Sequence, residues 1–196
     1  NMFNDKNIIT VKSSLLRSFI AKMIVFTRAE KSQEIYKKIG CKSPLVDITK
    51  ELVAKLQAKV GDGVIVDFAM RYTPPFADEV VARLNDTKVS DIYLIPLYPQ
   101  YSTTTTKSSL EDFYESYHKG GGGAIISQIE HFFQNSTYND AIVQMIKERV
   151  ASDESAEFDL VFSAHGLPVK VIKKGDPYEK QVNRHVELLS SKLLEA

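Results

Sequence analysis

A single cysteine, Cys41, stands among the 196 residues, which excludes an intrachain disulfide and any zinc or iron–sulfur site built from the cysteines of this chain alone. A reducing compartment fits that usage. Net charge is missing too: 25 Lys and Arg balance 25 Asp and Glu, so no field draws the chain to a nucleic-acid backbone or an anionic membrane surface. No apolar run nears the roughly 20 residues needed to span a bilayer. The first residues also lack the charged segment and apolar core of a secretory signal. These absences predict a soluble cytoplasmic protein with no nucleic-acid partner and no transmembrane segment, leaving peripheral contact with a membrane open. There is no internal repeat, no H-E-x-x-H pair and no G-x-G-x-x-G after a strand, so a local metal motif and a dinucleotide fold are not indicated.

What is present is an ordinary globular composition, 43% hydrophobic and 26% charged, which argues against disorder. The length supports one good core, with a second domain begun. Apolar runs at 64–68, 92–97, 124–129 and 158–162 read as strands, and their uniform apolarity suits parallel strands covered on both faces. Helical periods lie between them. Residues 14–39 read as two helices stopped by Gly40, and Ser43 and Pro44 open another whose buried stripe is Leu45, Ile48, Leu52 and Leu56. Further helices are predicted at 75–84, 108–117, 138–150 and 177–194. The alternation is that of an α/β protein with a parallel sheet. The glycine run 120–123 follows a helix and precedes a strand, the reverse of a phosphate cradle, and reads as a flexible connection. The small and acidic stretch 151–157 is the expected boundary between a first domain, 1–156, and a second, 157–196.

Ligands of open α/β sheets bind beyond the carboxyl ends of the strands. Three predicted strand ends are chemically loaded: Met70-Arg71-Tyr72, Tyr98-Pro99-Gln100-Tyr101-Ser102, and Ser163-Ala164-His165-Gly166-Leu167-Pro168. An imidazole ordinarily titrates near 6.5, so a neutral ring is available to ligate a metal or take a proton. His165 either does this or hydrogen-bonds its own loop. Arg71 either receives a carboxylate in its planar fork or bridges two loops through an internal ion pair. Tyr72, Tyr98 and Tyr101 suit an aromatic ligand or ordinary packing. The threonines at 103–106 with Lys107, Ser108 and Ser109 read either as an anion site or as a helix cap. His118, His131 and His185, the last on a charged helix face, are assigned surface or structural roles.

Read together, these segments resemble the ferrochelatase family. The match runs from Phe162-Ser163-Ala164-His165-Gly166-Leu167-Pro168-Val169 through Lys174-Gly175-Asp176-Pro177-Tyr178 to Gln181-Val182. Leu97-Tyr98-Pro99-Gln100-Tyr101-Ser102 with the threonines and Ser108-Ser109 forms a second motif, and Met70-Arg71-Tyr72 with Pro75 a third. Arg28, Tyr36 and Ser43 fall where the family lines its porphyrin cleft. The resemblance implies a chelatase-like three-layer α/β/α sandwich, with two similar Rossmann-like domains in the intact protein. It implies insertion of Fe²⁺ into protoporphyrin IX or coproporphyrin III to form haem, in a lyase-class reaction. His165 would be the catalytic residue and metal ligand, and Arg28, Tyr36, Ser43, Arg71, Tyr72, Tyr98 and Ser102 would bind the porphyrin. Porphyrin and ferrous iron are the implied partners, with no cofactor beyond substrate iron and no iron–sulfur cluster.

Departures qualify this. Lys107 replaces the family's usual glycine, and Thr73-Pro74 its commoner small and polar pair. Both ends of the chain read as cut: the family's first strand should precede Asn1 and its second domain should continue past Ala196. No Glu here matches the acidic residue that faces the histidine across the family's metal site. The intact parent is therefore expected to be an enzyme and these 196 residues alone to be inactive. The rival readings are a related cobalt or nickel chelatase and a porphyrin-binding protein without catalysis.

Overall fold

No glycine or proline interrupts residues 14–37. In the computed structural model, which describes residues 2–151 and 158–195, they wind into one helix, α1 (Ser14–Lys37), rather than the expected two. Ser13 caps it, its Oγ accepting from the Leu16 N–H. The helix ends before Gly40, whose φ of 89° carries the chain through a left-handed turn. The other elements are α2 (Leu45–Val60), α3 (Ala77–Thr87), β1 (Asp91–Leu94), α4 (Thr106–Lys119), β2 (Ile125–Gln128), α5 (Ser136–Ala151), the short α6 (Val169–Lys173) and α7 (Tyr178–Leu194). The fold is a helix-rich α/β one with a small parallel sheet, the class that the alternation of runs predicts. Among the described residues no helix is long and apolar enough to cross a membrane. The expected domain boundary, residues 152–157, lies outside the described residues.

The chain divides into two compact units. One holds the residues up to Ser90 with Glu111–Ala124, and the other holds Asp91–Leu110 with the residues from Ile125 onward. In the first, Ala77, Val80 and Val81 of α3 and Phe113 and Tyr117 of α4 are buried. In the second, Ile92, Leu110, Phe133, Val143 and Leu189 are the buried apolar side chains, and α5 packs on α7. There β1 and β2 pair in parallel, Asp91 opposite Ile125 through Leu94 opposite Gln128.

Several expectations fail for a common reason, that an apolar run records a tendency and not its partner. Residues 64–68 form no strand. Their backbone is taken by the α2 side chain of Gln57, whose Nε2 donates to Val64 O (2.8 Å) and whose Oε1 accepts from Val66 N (2.8 Å). Residues 158–162 also form no strand, and Val161 is 82% exposed. The sheet is not covered on both faces: Ile92 is buried but its neighbour Tyr93 is 75% exposed. The α2 stripe of Leu45, Ile48, Leu52 and Leu56 is exposed rather than buried. The buried residue of α2 is Thr49, whose hydroxyl donates back to Leu45 O. Pro44 is the N-cap of α2, and Ser43 Oγ instead accepts from Leu45 N–H.

The glycine run is packed, not merely a connection. A Cβ at Gly120 would stand 2.8 Å from Val81 Cγ1, and one at Gly122 would stand 2.1 Å from the Tyr117 ring. That ring cannot easily retreat, because its hydroxyl is bonded to both the N–H and the carbonyl of Ala124. We therefore expect Gly122→Ala to lower the unfolding free energy by about 1–3 kcal/mol in urea titrations. Gly123→Ala, which meets nothing within 4 Å, should leave it near the wild-type value.

Candidate functional site

In the first unit the loop after residues 64–68 is closed by the Met70 N–H on Pro75 O (2.7 Å) and presents Arg71 and Tyr72. The internal ion pair, of the two readings of Arg71, is the one formed. Its guanidinium meets Asp5 at 2.9 Å and Asp112 at 3.1 Å and lies 5.0 Å above the Tyr72 ring. The Tyr72 hydroxyl donates to the same Asp5 oxygen (2.8 Å), and the other Asp5 oxygen accepts from Asn7 N–H (2.8 Å). Asp5 is thereby held with only 2% of its side chain exposed, Arg71 with 25%. Burial raises the Asp112 pKa above the ordinary carboxylate value, with Arg71 opposing it and Glu115, Asp5 and Asp78 adding to it. These groups line a cavity of about 770 Å³ together with Asn4, Phe76 and Lys119. Of the predicted porphyrin ligands, it contains Arg71 and Tyr72.

The remaining candidates of this unit lie elsewhere on it. Arg28 is exposed on α1, Tyr36 is half-exposed near its end, and Ser43 is exposed before α2.

In the second unit, Tyr98 follows β1 with its ring 37% exposed, and Pro99 O accepts from both Phe132 N–H (2.9 Å) and Phe133 N–H (3.0 Å). Ser102 is 1% exposed, and its hydroxyl donates to Asp176 Oδ2 (3.0 Å). The same oxygen accepts from the Thr103 N–H (2.7 Å) and hydroxyl (2.6 Å), while Oδ1 accepts from Tyr178 N–H (3.0 Å). The threonine run before α4 thus does bind an anion, one of this chain's own. Burial pushes the Asp176 pKa up, but the Thr103 side chain and N–H, the Tyr178 N–H and Ser102 outweigh it and hold the carboxyl below its ordinary value. His165 is exposed in its turn, and among the described residues its ring takes no hydrogen bond.

His185 corrects the reading of a charged helix face: it is 7% exposed. Its Nδ1 lies 2.8 Å from Gln100 Nε2 and its Nε2 2.9 Å from Asn139 Oδ1. Asn139 Nδ2 donates to Phe133 O (3.0 Å), so Oδ1 must accept. That places the proton on His185 Nε2 and makes Nδ1 the acceptor of Gln100, a neutral ring in one tautomer. Phe133 stands edge-on to it and Tyr138 stacks on it. Burial lowers its pKa. Sequence reasoning left Asp176 and Gln181 without a role and gave His185 a surface or structural one; the i, i+4 spacing of 181 and 185 was the available signal. Among the described residues no three His, Cys, Asp or Glu side chains gather as a metal cage.

A family model described as ferrochelatase matches residues 1–196. A ferrochelatase of Sulfurimonas denitrificans is 66% identical over 189 residues, covering 96% of this chain and 60% of that protein. Those of Nitratiruptor sp. and Wolinella succinogenes are 50% and 44% identical over 195 residues, covering all of this chain and 63% and 61% of theirs. The chain thus spans between 60% and 63% of the length of these curated relatives.

The buried neutral histidine gives a signed pH dependence. With the folded pKa below the unfolded one, the unfolded chain takes up the proton first, so stability is full above about 6.5 and falls as pH drops below it. In urea unfolding between pH 7.5 and 5.5, the wild-type advantage over His185→Gln should be largest at the top of the range. It should narrow below pH 6.5 by up to about 1.4 kcal/mol per pH unit.

Proposed function

Because the chain belongs to the ferrochelatase family, we propose that the whole protein is a metal chelatase that inserts ferrous iron into a porphyrin, the haem-forming step, in the cytoplasm. The observation that carries this reading is His165: an exposed imidazole with no hydrogen-bond partner among the described residues, in the segment that leads into α6. Of its two sequence readings, that favours chemistry over loop support.

Metallation requires the macrocycle to bend, two pyrrole N–H bonds to break and both protons to leave as the nitrogens bind Fe²⁺. His165 accepts a proton or ligates the incoming iron. Tyr36, Tyr72 and Tyr98 offer aromatic faces to the flat ring. Arg28 and Ser43 are the exposed polar partners for carboxylate side chains of protoporphyrin IX or coproporphyrin III. Arg71 and Ser102 enter this reading differently: each is spent on a carboxylate of the chain itself, so they serve the porphyrin by fixing Tyr72 and the residue 98–104 loop. Fe²⁺ is substrate, with no iron–sulfur cluster.

Replacing His165 by Ala in the whole protein should reduce iron insertion by about 10²–10⁴-fold, the usual worth of a positioned acid–base group. Porphyrin binding, followed by absorbance titration, should change little. Insertion at the wild-type rate would remove His165 from the reaction. The 196 residues alone are expected to bind porphyrin without metallating it, and titration with and without Fe²⁺ separates the two. Preference for Co²⁺ or Ni²⁺ over Fe²⁺ in competition would favour the rival chelatase.

A further inference from the structure

Four consecutive residues, 100–103, are each gripped by a side chain from the stretch 176–185, in antiparallel order. His185 Nδ1 meets Gln100 Nε2 (2.8 Å), Gln181 Oε1 accepts the Tyr101 N–H (2.7 Å), and Asp176 Oδ2 accepts from Ser102 Oγ and from the Thr103 N–H and Oγ1. Gln181 and His185 are one helical turn apart on α7, so one face of the helix delivers both. Asp176 stands just before that helix.

Two features set this apart from ordinary helix packing. First, the contacts at 101 and 103 go to backbone N–H groups, so they read the conformation of the loop and not the size of its side chains. Second, Asp176 is 6% exposed and its oxygens are met by N–H and O–H dipoles, with no cation bonded to them among the described residues. A buried carboxylate balanced only by dipoles depends on every one of those dipoles being in place. The loop is tied at its other end too, through Pro99 O to residues 132 and 133. Tyr98, next in the chain before the Pro99 anchorage, stays exposed.

We propose that Asp176, Gln181 and His185 are positioning residues that hold the 98–104 loop so that Tyr98 is presented to the porphyrin, with the charge of Asp176 as the principal fastening. This rests on the porphyrin reading above. A loosened recognition loop weakens porphyrin capture without touching proton transfer at His165, so the effect falls on KM rather than on kcat.

The test compares Asp176→Asn with wild type in the whole protein by two measurements. Asparagine keeps the shape but removes the charge and turns an amide donor toward the Thr103 donors. Hydrogen exchange at the Thr103 amide should accelerate by about 10–100-fold, the loss expected for a hydrogen bond to a charged group. In steady-state iron insertion, KM for porphyrin should rise about tenfold with kcat within about threefold. Gln181→Leu, a milder change, should accelerate exchange at Tyr101 alone, which keeps the proposal testable if Asp176→Asn does not fold. Unchanged exchange at 101 and 103 overturns the clasp, and accelerated exchange with unchanged KM, or a fall confined to kcat, overturns its role in porphyrin capture. If the wild-type protein itself neither binds porphyrin nor inserts iron, the functional reading fails, while the exchange data still decide the clasp.

Discussion

Each compact unit closes around one buried aspartate, and the loops that carry Arg71 and Tyr72 in the one and Ser102 and Thr103 in the other depend on those two carboxylates. Asp5 collects Arg71, the Tyr72 hydroxyl and the Asn7 N–H. Asp176 collects Ser102, Thr103 and the Tyr178 N–H. Their means of compensation differ. Asp5 has a guanidinium, itself shared with Asp112, so its charge is met by charge. Asp176 has only oriented dipoles. An ion pair tolerates some drift, because Coulomb attraction falls slowly with distance, whereas a hydrogen bond weakens steeply once its angle is lost. The second loop is therefore the more exacting of the two in geometry.

Much of this was legible in the sequence at the level of elements. The helices expected from their apolar periods are present within a few residues, save that the two expected over 14–39 are one, because the period and the caps are local properties: Ser13 before α1 and Gly40 after it need no distant partner. Strands fared worse. Residues 92–97 and 124–129 pair with each other, but 64–68 and 158–162 are equally apolar and form no ladder. A strand is defined by its neighbour, and the Gln57 side chain claims the backbone of 64–66 before any neighbour can. The α2 stripe shows the same limit, since the period names a face without naming what covers it.

Side-chain roles were the least legible. Resemblance to the family brings His165, Asp176 and Gln181 forward in one motif and gives a role to His165 alone. Geometry divides it: His165 is exposed and uncommitted, while Asp176 and Gln181 are committed to a loop some 75 to 80 residues earlier. His185 sits beyond the motif and among charged neighbours, yet it is buried, because one face of an amphipathic helix need hold only one polar residue whose partners, Gln100 and Asn139, arrive from elsewhere. The two readings of Arg71 and of the threonine run were both left open by residue type. In each case the chain supplies its own carboxylate, which no local spacing could have disclosed.

Two shifted groups of the second unit, Asp176 and His185, also bear on the pH range in which the loop is held. Both Asp176 and His185 have folded pKa values below their ordinary ones. For each, the unfolded chain binds the proton first on acidification, so each contributes its full stability above its unfolded pKa and loses it as pH falls. The losses come in sequence, His185 starting below about 6.5 and Asp176 only in the carboxylate range. Between those two ranges the clasp loses the neutral ring of His185 while Asp176 still carries its charge, so acid should loosen the Gln100 end of the loop before the Ser102 and Thr103 end.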